Sequence, residues 1–340
     1  MSDNETPSPN SPDEILPPVQ PPSAGFLMQL FIIPLVIVGV IVSSALAITW
    51  LAKRGADPDK LFDDLNSSNA GSWQKALDIA NLLTDPRNEE LRKSEKIATK
   101  LEDLLAQQLE EGGMRPKEIE MRVYLCSSLG RMEVKGRKLD TLAKAIQREV
   151  DPQEIKVRIA ATVAITRRIE NESISRESVR DNALVMDALK RAANATSEET
   201  ESKRRHGLLR ETAVYALGVI GGEQALEEVA SALVDARPTV RFNAAVALAR
   251  NGDARSVDRL SEMLDLDLEL NDAEGRTADD ATRSEILRTA VMASFELLKK
   301  NSNFPEAETL KEQLRQIGES DRVISSIQIL VTNGFAELSS

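Results

Sequence analysis

The chain has 340 residues, of which only 3% are aromatic, and a formal net charge of -12. Such an acidic chain is a poor general binder of nucleic acid, because Lys and Arg must replace counterions along the phosphates. One cysteine, Cys126, excludes an intramolecular disulfide framework and thiolate zinc sites, and one histidine, His206, excludes a multi-histidine metal centre.

Residues 1–25 are rich in Pro, Ser and acids and hold no Lys or Arg. That composition predicts a disordered, solvated tail. Residues 26–52 follow without a single charge. They exceed the roughly 20 apolar residues needed to cross a hydrocarbon core of about 30 Å. Trp50, Lys53 and Arg54 are placed as interface anchors at the end of the span. A cleaved signal peptide ending at Ala45-Leu46-Ala47 is the rival reading. It lacks a basic n-region, and its apolar run is too long. Basic residues follow the span and none precedes it. The expectation is a single-pass protein of a bacterial cytoplasmic membrane, with the tail outside and the C-terminal part in the cytoplasm. Gly39, Ser43 and Ala47 recur every four residues, a spacing that lets two copies of a membrane helix approach and dimerise.

Beyond residue 55 the pattern is helical almost throughout. Residues 53–115 read as juxtamembrane helices. Within them, residues 72–83 and 89–111 form a candidate irregular first repeat. Asp57-Pro58, Asp85-Pro86 and Asp151-Pro152 each place a cap residue before a proline. Thr196 with Glu199, and Thr282 with Glu285, have the spacing of capping boxes. Gly112-Gly113, Gly221-Gly222 and Gly252 mark helix ends. Alternating β-branched runs bounded by turns are absent, so no strand is expected.

Residues 209–233 overlay residues 240–264 at an offset of 31. Arg210 matches Arg241, Ala213 matches Ala244, Gly221 matches Gly252 and Leu233 matches Leu264. Self-similarity over a helix pair is the mark of a solenoid. The first helix recurs more weakly around Arg122, Arg158 and Arg288, each followed by small or apolar residues at the third, sixth and seventh positions. We expect the five arginines Arg122, Arg158, Arg210, Arg241 and Arg288 to be structural, bonding turn carbonyls or an acid of a neighbouring repeat. The polar positions of a second helix, Arg255, Asp258, Arg259 and Glu262, are the candidate partner surface.

The stretch "VRFNAAVALARNGDARSVDRLSEML" resembles a HEAT-type repeat of the short form known from phycobilisome lyases. The offset of 31 is below the usual ~40–47 and fits only that short form. The resemblance is close over residues 208–265, diffuse over 116–194 and 282–317, and poor over 57–112. It implies an all-α fold, an α-solenoid of HEAT-like helix pairs, here preceded by a single transmembrane helix. The solenoid would span residues 116–318, with a capping helix and tail over 319–340. The stretches 194–206 and 266–281 interrupt the array as a solvated helix extension and an acidic loop.

No P-loop, no GxGxxG after a strand and no nucleophile–base motif is present. Cys126 lies in an apolar helical pattern, as a small core residue does. The expected function is non-enzymatic, with no cofactor and no metal: a membrane-anchored scaffold or adaptor for another protein. Two alternatives are a lyase or modification factor of the phycobilisome-lyase kind, resting on the resemblance alone, and a regulatory or sensory membrane subunit.

Overall fold

The structure is a computed structural model. It describes residue 36 and residues 38–46, 71–197, 200–269 and 279–339. The tail over 1–25, the anchors Trp50, Lys53 and Arg54, residue Ala47, the Asp57-Pro58 cap, Glu199 and the acidic loop over 270–278 lie outside those residues. The chain divides into two units, Met1–Pro58 and Asp59–Ser340. In the first, residues 38–46 are helical, and Val38, Val40, Ile41 and Val42 are exposed. No helix among the described residues is long and apolar enough to cross a membrane.

The second unit is all-helical among its described residues. In chain order its helices are α1 (Ser72–Thr84), α2 (Glu89–Arg92), α3 (Glu95–Glu110), α4 (Pro116–Arg131) and α5 (Asp140–Gln147). They continue with α6 (Ile155–Glu170), α7 (Arg176–Arg180), α8 (Ala183–Ala193), α9 (Thr200–Ile220) and α10 (Glu223–Ser231). The last are α11 (Pro238–Arg250), α12 (Val257–Leu264), α13 (Asp280–Lys300), α14 (Ala307–Glu319) and α15 (Ser325–Leu338).

Two layers organise them. In the first layer α1, α4, α6, α9, α11, α13 and α15 pack in sequence, each on the next. The second layer holds α3, α5, α8, α10, α12 and α14, wedged against the first. The array is thus a helical-repeat solenoid.

Close packing inside the first layer rests on one register. Gly130, eight residues after Arg122, faces Ala164, six after Arg158. A Cβ added at Gly130 would meet Ala164 Cα at 2.6 Å. Gly218, eight residues after Arg210, faces Ala247, six after Arg241. A Cβ there would lie 2.4 Å from that of Ala247. The small positions of the repeat therefore set how near successive first helices come.

Helix α11 shows why so plain a sequence is needed. Val240, Ala244, Ala247 and Leu248 join the core on its N-terminal side. Phe242, Ala245, Val246 and Ala249 join the core on its C-terminal side. A helix buried on two faces cannot be amphipathic, and alanine lets both neighbours approach.

Punctuation differs in part from the sequence expectation. Gly221 (φ +64), Gly222 (φ +83) and Gly252 (φ +78) do end helices in the left-handed region that glycine favours. Asp85 and Asp151, however, open short 3-10 turns, at Pro86–Asn88 and Pro152–Glu154, rather than α-helical first turns. For α13 the cap is Asp279, which accepts from the Thr282 N–H at 2.8 Å. Glu285 pairs with Arg288 instead of closing a box with Thr282.

Candidate functional site

The recurring arginines share one task. The last carbonyls of a helix have no partner within it, and a cation near that end also meets the favourable sign of the helix dipole. Arg122 on α4 donates to the carbonyls of Gln108 (3.3 Å) and Gly113 (3.1 Å), at the end of α3. Arg158 on α6 donates to Ile146 O at 2.7 Å, in α5. Arg210 on α9 reaches Ala195 O at 2.9 Å, just after α8. Arg241 on α11 reaches Asp235 O at 2.9 Å, beyond α10. Each also holds an acid: Glu154, Glu149, Asp235 and Glu262 respectively.

Arg288 is placed differently. It is half exposed and pairs only along its own helix, with Glu285 at 2.9 Å. The carbonyl contact in α13 belongs to Arg283, whose Nη2 donates to Leu268 O at 2.5 Å. Arg158, Arg241 and Arg283 each stand fourth in their helix. Counting from the Asp279 cap rather than from the apolar spacing singles out Arg283.

A second recurring device escaped the sequence reading. Asn171, Asn251 and Asn301 terminate α6, α11 and α13. Their side-chain amides donate back to Met132 O (3.4 Å), Gly218 O (3.0 Å) and Gly252 O (3.2 Å), at the ends of the preceding first-layer helices. Arginines tie the layers together, and asparagines tie successive first helices.

The four second-helix positions are largely occupied within the chain. Glu262 accepts from Arg241 (3.1 Å) and Arg259 (2.7 Å). Arg259 also donates to Leu233 O at 3.0 Å. Arg255 pairs with Asp253 (2.6 Å) and Glu227 (2.8 Å). Of the set, Arg255 and Asp258 are exposed, and Asp258 alone makes no hydrogen bond or ion pair among the described residues.

The first-layer face carries a different chemistry. A groove of about 530 Å³ opens over α9, α11 and α13, bordered by Glu170 of α6 and by Arg176. That volume is within the usual ~300–1,000 Å³ of ligand sites. Gly218, Val219, Val246 and Ala247 line it where α9 and α11 approach closely. Tyr215 donates to Glu170 Oε1 at 2.8 Å. Burial first, and then the bond to Glu170, raise its phenol above the ordinary value, so it stays protonated as a donor. Arg250 faces Glu296 at 3.7 Å, and Lys300 donates to Arg250 O. The Asn243 amide, the Thr289 hydroxyl and the Arg176 guanidinium line the groove without a hydrogen bond or ion pair among the described residues.

The chain has two tyrosines, and both stand on first-layer helices, Tyr124 on α4 and Tyr215 on α9. Tyr215 is hydrogen-bonded to Glu170, and the phenol of Tyr124 is raised above its ordinary value by burial first and then by the nearby Glu120. Tyrosine supplies contact area at small entropic loss and is enriched at interfaces. A mid-helix asparagine such as Asn243 is disfavoured by propensity. That was the one sequence signal for the groove.

Cys126 is fully buried, and burial pushes its thiol up, away from the reactive thiolate. Among the described residues no group of three or more His, Cys, Asp or Glu is placed to hold a metal ion.

A family model for HEAT repeats matches residues 198–272. That span contains α9 to α12, the two overlaid helix pairs. The structure of human deoxyhypusine hydroxylase in complex with glycerol is similar at 14% identity over 78% of this chain and 96% of that one, with a TM-score of 0.28. No curated protein matches.

Proposed function

We propose that the chain is a membrane-anchored scaffold or adaptor, held by residues 26–52, whose helical-repeat array binds another protein on its first-layer face. The observation that carries this reading is the contrast between the two layers. Arg255, Arg259 and Glu262 of the second layer are committed to contacts within the chain. The first layer instead presents a groove with unpartnered Asn243 and Thr289 beside Tyr215. Both side chains are half-buried in the groove, where a bound chain would take the place of water as their partner. The uncharged run over 26–52, with Lys53 and Arg54 after it, supports the anchor and a cytoplasmic array.

The test uses the full chain in its native membranes. A photo-reactive residue at position 243 or 289 should give a discrete protein adduct that survives a carbonate wash with the membrane. The same residue at 258 should not. Adducts from 258 alone would return the binding surface to the second layer. Release of the chain by carbonate would remove the anchor.

A further inference from the structure

We propose that the groove between α9, α11 and α13 takes an extended, acidic peptide segment of the partner. The inference rests on the reading of the first-layer face as the binding surface and names the chemistry it recognises.

Charge decides the sign. Three cations line the groove, Arg176, Arg250 and Lys300, against two acids, Glu170 and Glu296. Both acids are already engaged, Glu170 by the Tyr215 hydroxyl and Glu296 by Arg250. Of the cations, Arg176 has no hydrogen bond or ion pair among the described residues, and the Lys300 ammonium bonds a backbone carbonyl rather than a carboxylate. The groove lining is therefore positive by one charge, in a chain whose formal net charge is -12. Carboxylates at Arg176 and at Lys300 would meet it through charge-assisted hydrogen bonds.

The neutral groups decide the conformation. A carboxamide offers a donor and an acceptor together, the same pair that a peptide unit presents. Asn243 and Thr289 stand one helix apart on α11 and α13. They offer backbone hydrogen bonds that an extended segment leaves free and a helical one does not. Val219 and Val246 provide apolar footing for a small side chain between the charged ones. Specificity would then come from the cations and register from the amide.

The experiment titrates the full chain in detergent with labelled octapeptides, followed by fluorescence anisotropy. The probes are an alternating Asp-Val octamer, its Lys-Val counterpart, and the Asp-Val octamer with N-methylated peptide bonds. The Asp-Val peptide should bind at least tenfold more tightly than either of the others. Asn243→Ala should weaken it about tenfold, the size expected for losing a well-placed hydrogen-bonded group. R176E with R250E should shift preference toward the Lys-Val peptide. The Asn243 side chain makes no hydrogen bond among the described residues, so its variant should melt as the wild type does, which separates lost binding from lost fold. Equal binding of acidic and basic peptides, indifference to N-methylation, or no binding of any peptide would each overturn the proposal. If no peptide binds while position 243 still cross-links a protein in membranes, the peptide chemistry is wrong and the first-layer surface stands.

Discussion

Two stretches of the array make the same arginine contacts in opposite surroundings. In α4 to α6 the arginines are buried, and so is one of their acids: Arg122 and Glu154 are both 0% exposed, and Arg168 is 1% exposed, whereas Glu149 beside Arg158 is open to water. In α9 to α12 they sit at the rim, with the Arg210–Asp235 and Arg241–Glu262 pairs partly open to water. The contacts have the same form, a carbonyl at the end of a second-layer helix plus one acid. The energetics differ. At the rim, water can replace a lost partner. Around Glu154 it cannot, and that site is strained for partners already. Glu154 Oε2 and the Nε atoms of Arg122 and Arg148 are buried without a hydrogen bond. The comparison teaches that repeat identity in sequence does not measure the weight a contact carries. The clearest repeat, at 209–264, holds the more replaceable pairs.

The largest effect should come from stranding a charge in the buried cluster. Arg122→Met leaves Glu154 with Arg148 at 3.4 Å as its remaining cation. It also frees the carbonyls of Gln108 and Gly113. Removing one member of a buried pair typically destabilises by about 3–5 kcal/mol. Denaturant melts of Arg122→Met and of Glu154→Leu should each show a loss of that order. The double variant should be more stable than either single one, because two apolar groups leave no unpaired charge. A double variant as unstable as the sum of the singles would show that the carbonyl contacts, not the pair, carry the effect.

How much of this was legible follows the same division. Residues 209–264 announced themselves because both pairs have short, equal connections, so one offset aligns them. The all-helical architecture and the glycine stops at 221, 222 and 252 were readable for the same local reason. The burial of Glu154 was not. It stands in an Asp-Pro turn, where acids are ordinarily solvated, and its partner Arg122 lies 32 residues upstream. Arg288 misled because apolar spacing around it repeats the pattern, whereas the carbonyl contact in α13 is made by Arg283, fourth in its helix as Arg158 and Arg241 are in theirs. The groove draws on residues from Glu170 to Lys300. Whether Asn243 is paired there is a property of four helices together, invisible in any one of them.

The middle effect is a pH dependence carried by Asp235 in the rim stretch. Burial pushes the Asp235 carboxyl up, but its bonds to Arg210 and to the Arg237 N–H outweigh that and leave it below the usual carboxylate range. A depressed folded-state value contributes stability that is present above the unfolded value of about 3.9. That stability is lost as pH falls through the lower folded value. Thermal melts of Asp235→Asn should therefore show a gap from wild type near neutral pH, of about 1–2 kcal/mol for charged hydrogen bonds in a partly open site. The gap should close as the pH is taken below 4. A gap unchanged in acid would mean that shape rather than charge holds Arg210.

The smallest effect separates two arginines five residues apart on α13. Arg283 joins the segment after α12 to α13 through Leu268 O, and it is partly buried. Its removal leaves that carbonyl without a guanidinium and should cost about 1 kcal/mol, the usual net size of one such bond. Arg288 pairs with Glu285 on the solvent side of the same helix. Exposed pairs at this spacing contribute little, since water and salt screen both partners in either state. Arg288→Ala should leave the melting temperature where it was, at low and at high salt, while Arg283→Ala lowers it at both. The reverse order would restore Arg288 to the inter-layer register and would place the cap of α13 elsewhere than Asp279. Equal, small losses from both would mean that α13 is held by its apolar face alone. The arginine register would then end at α11.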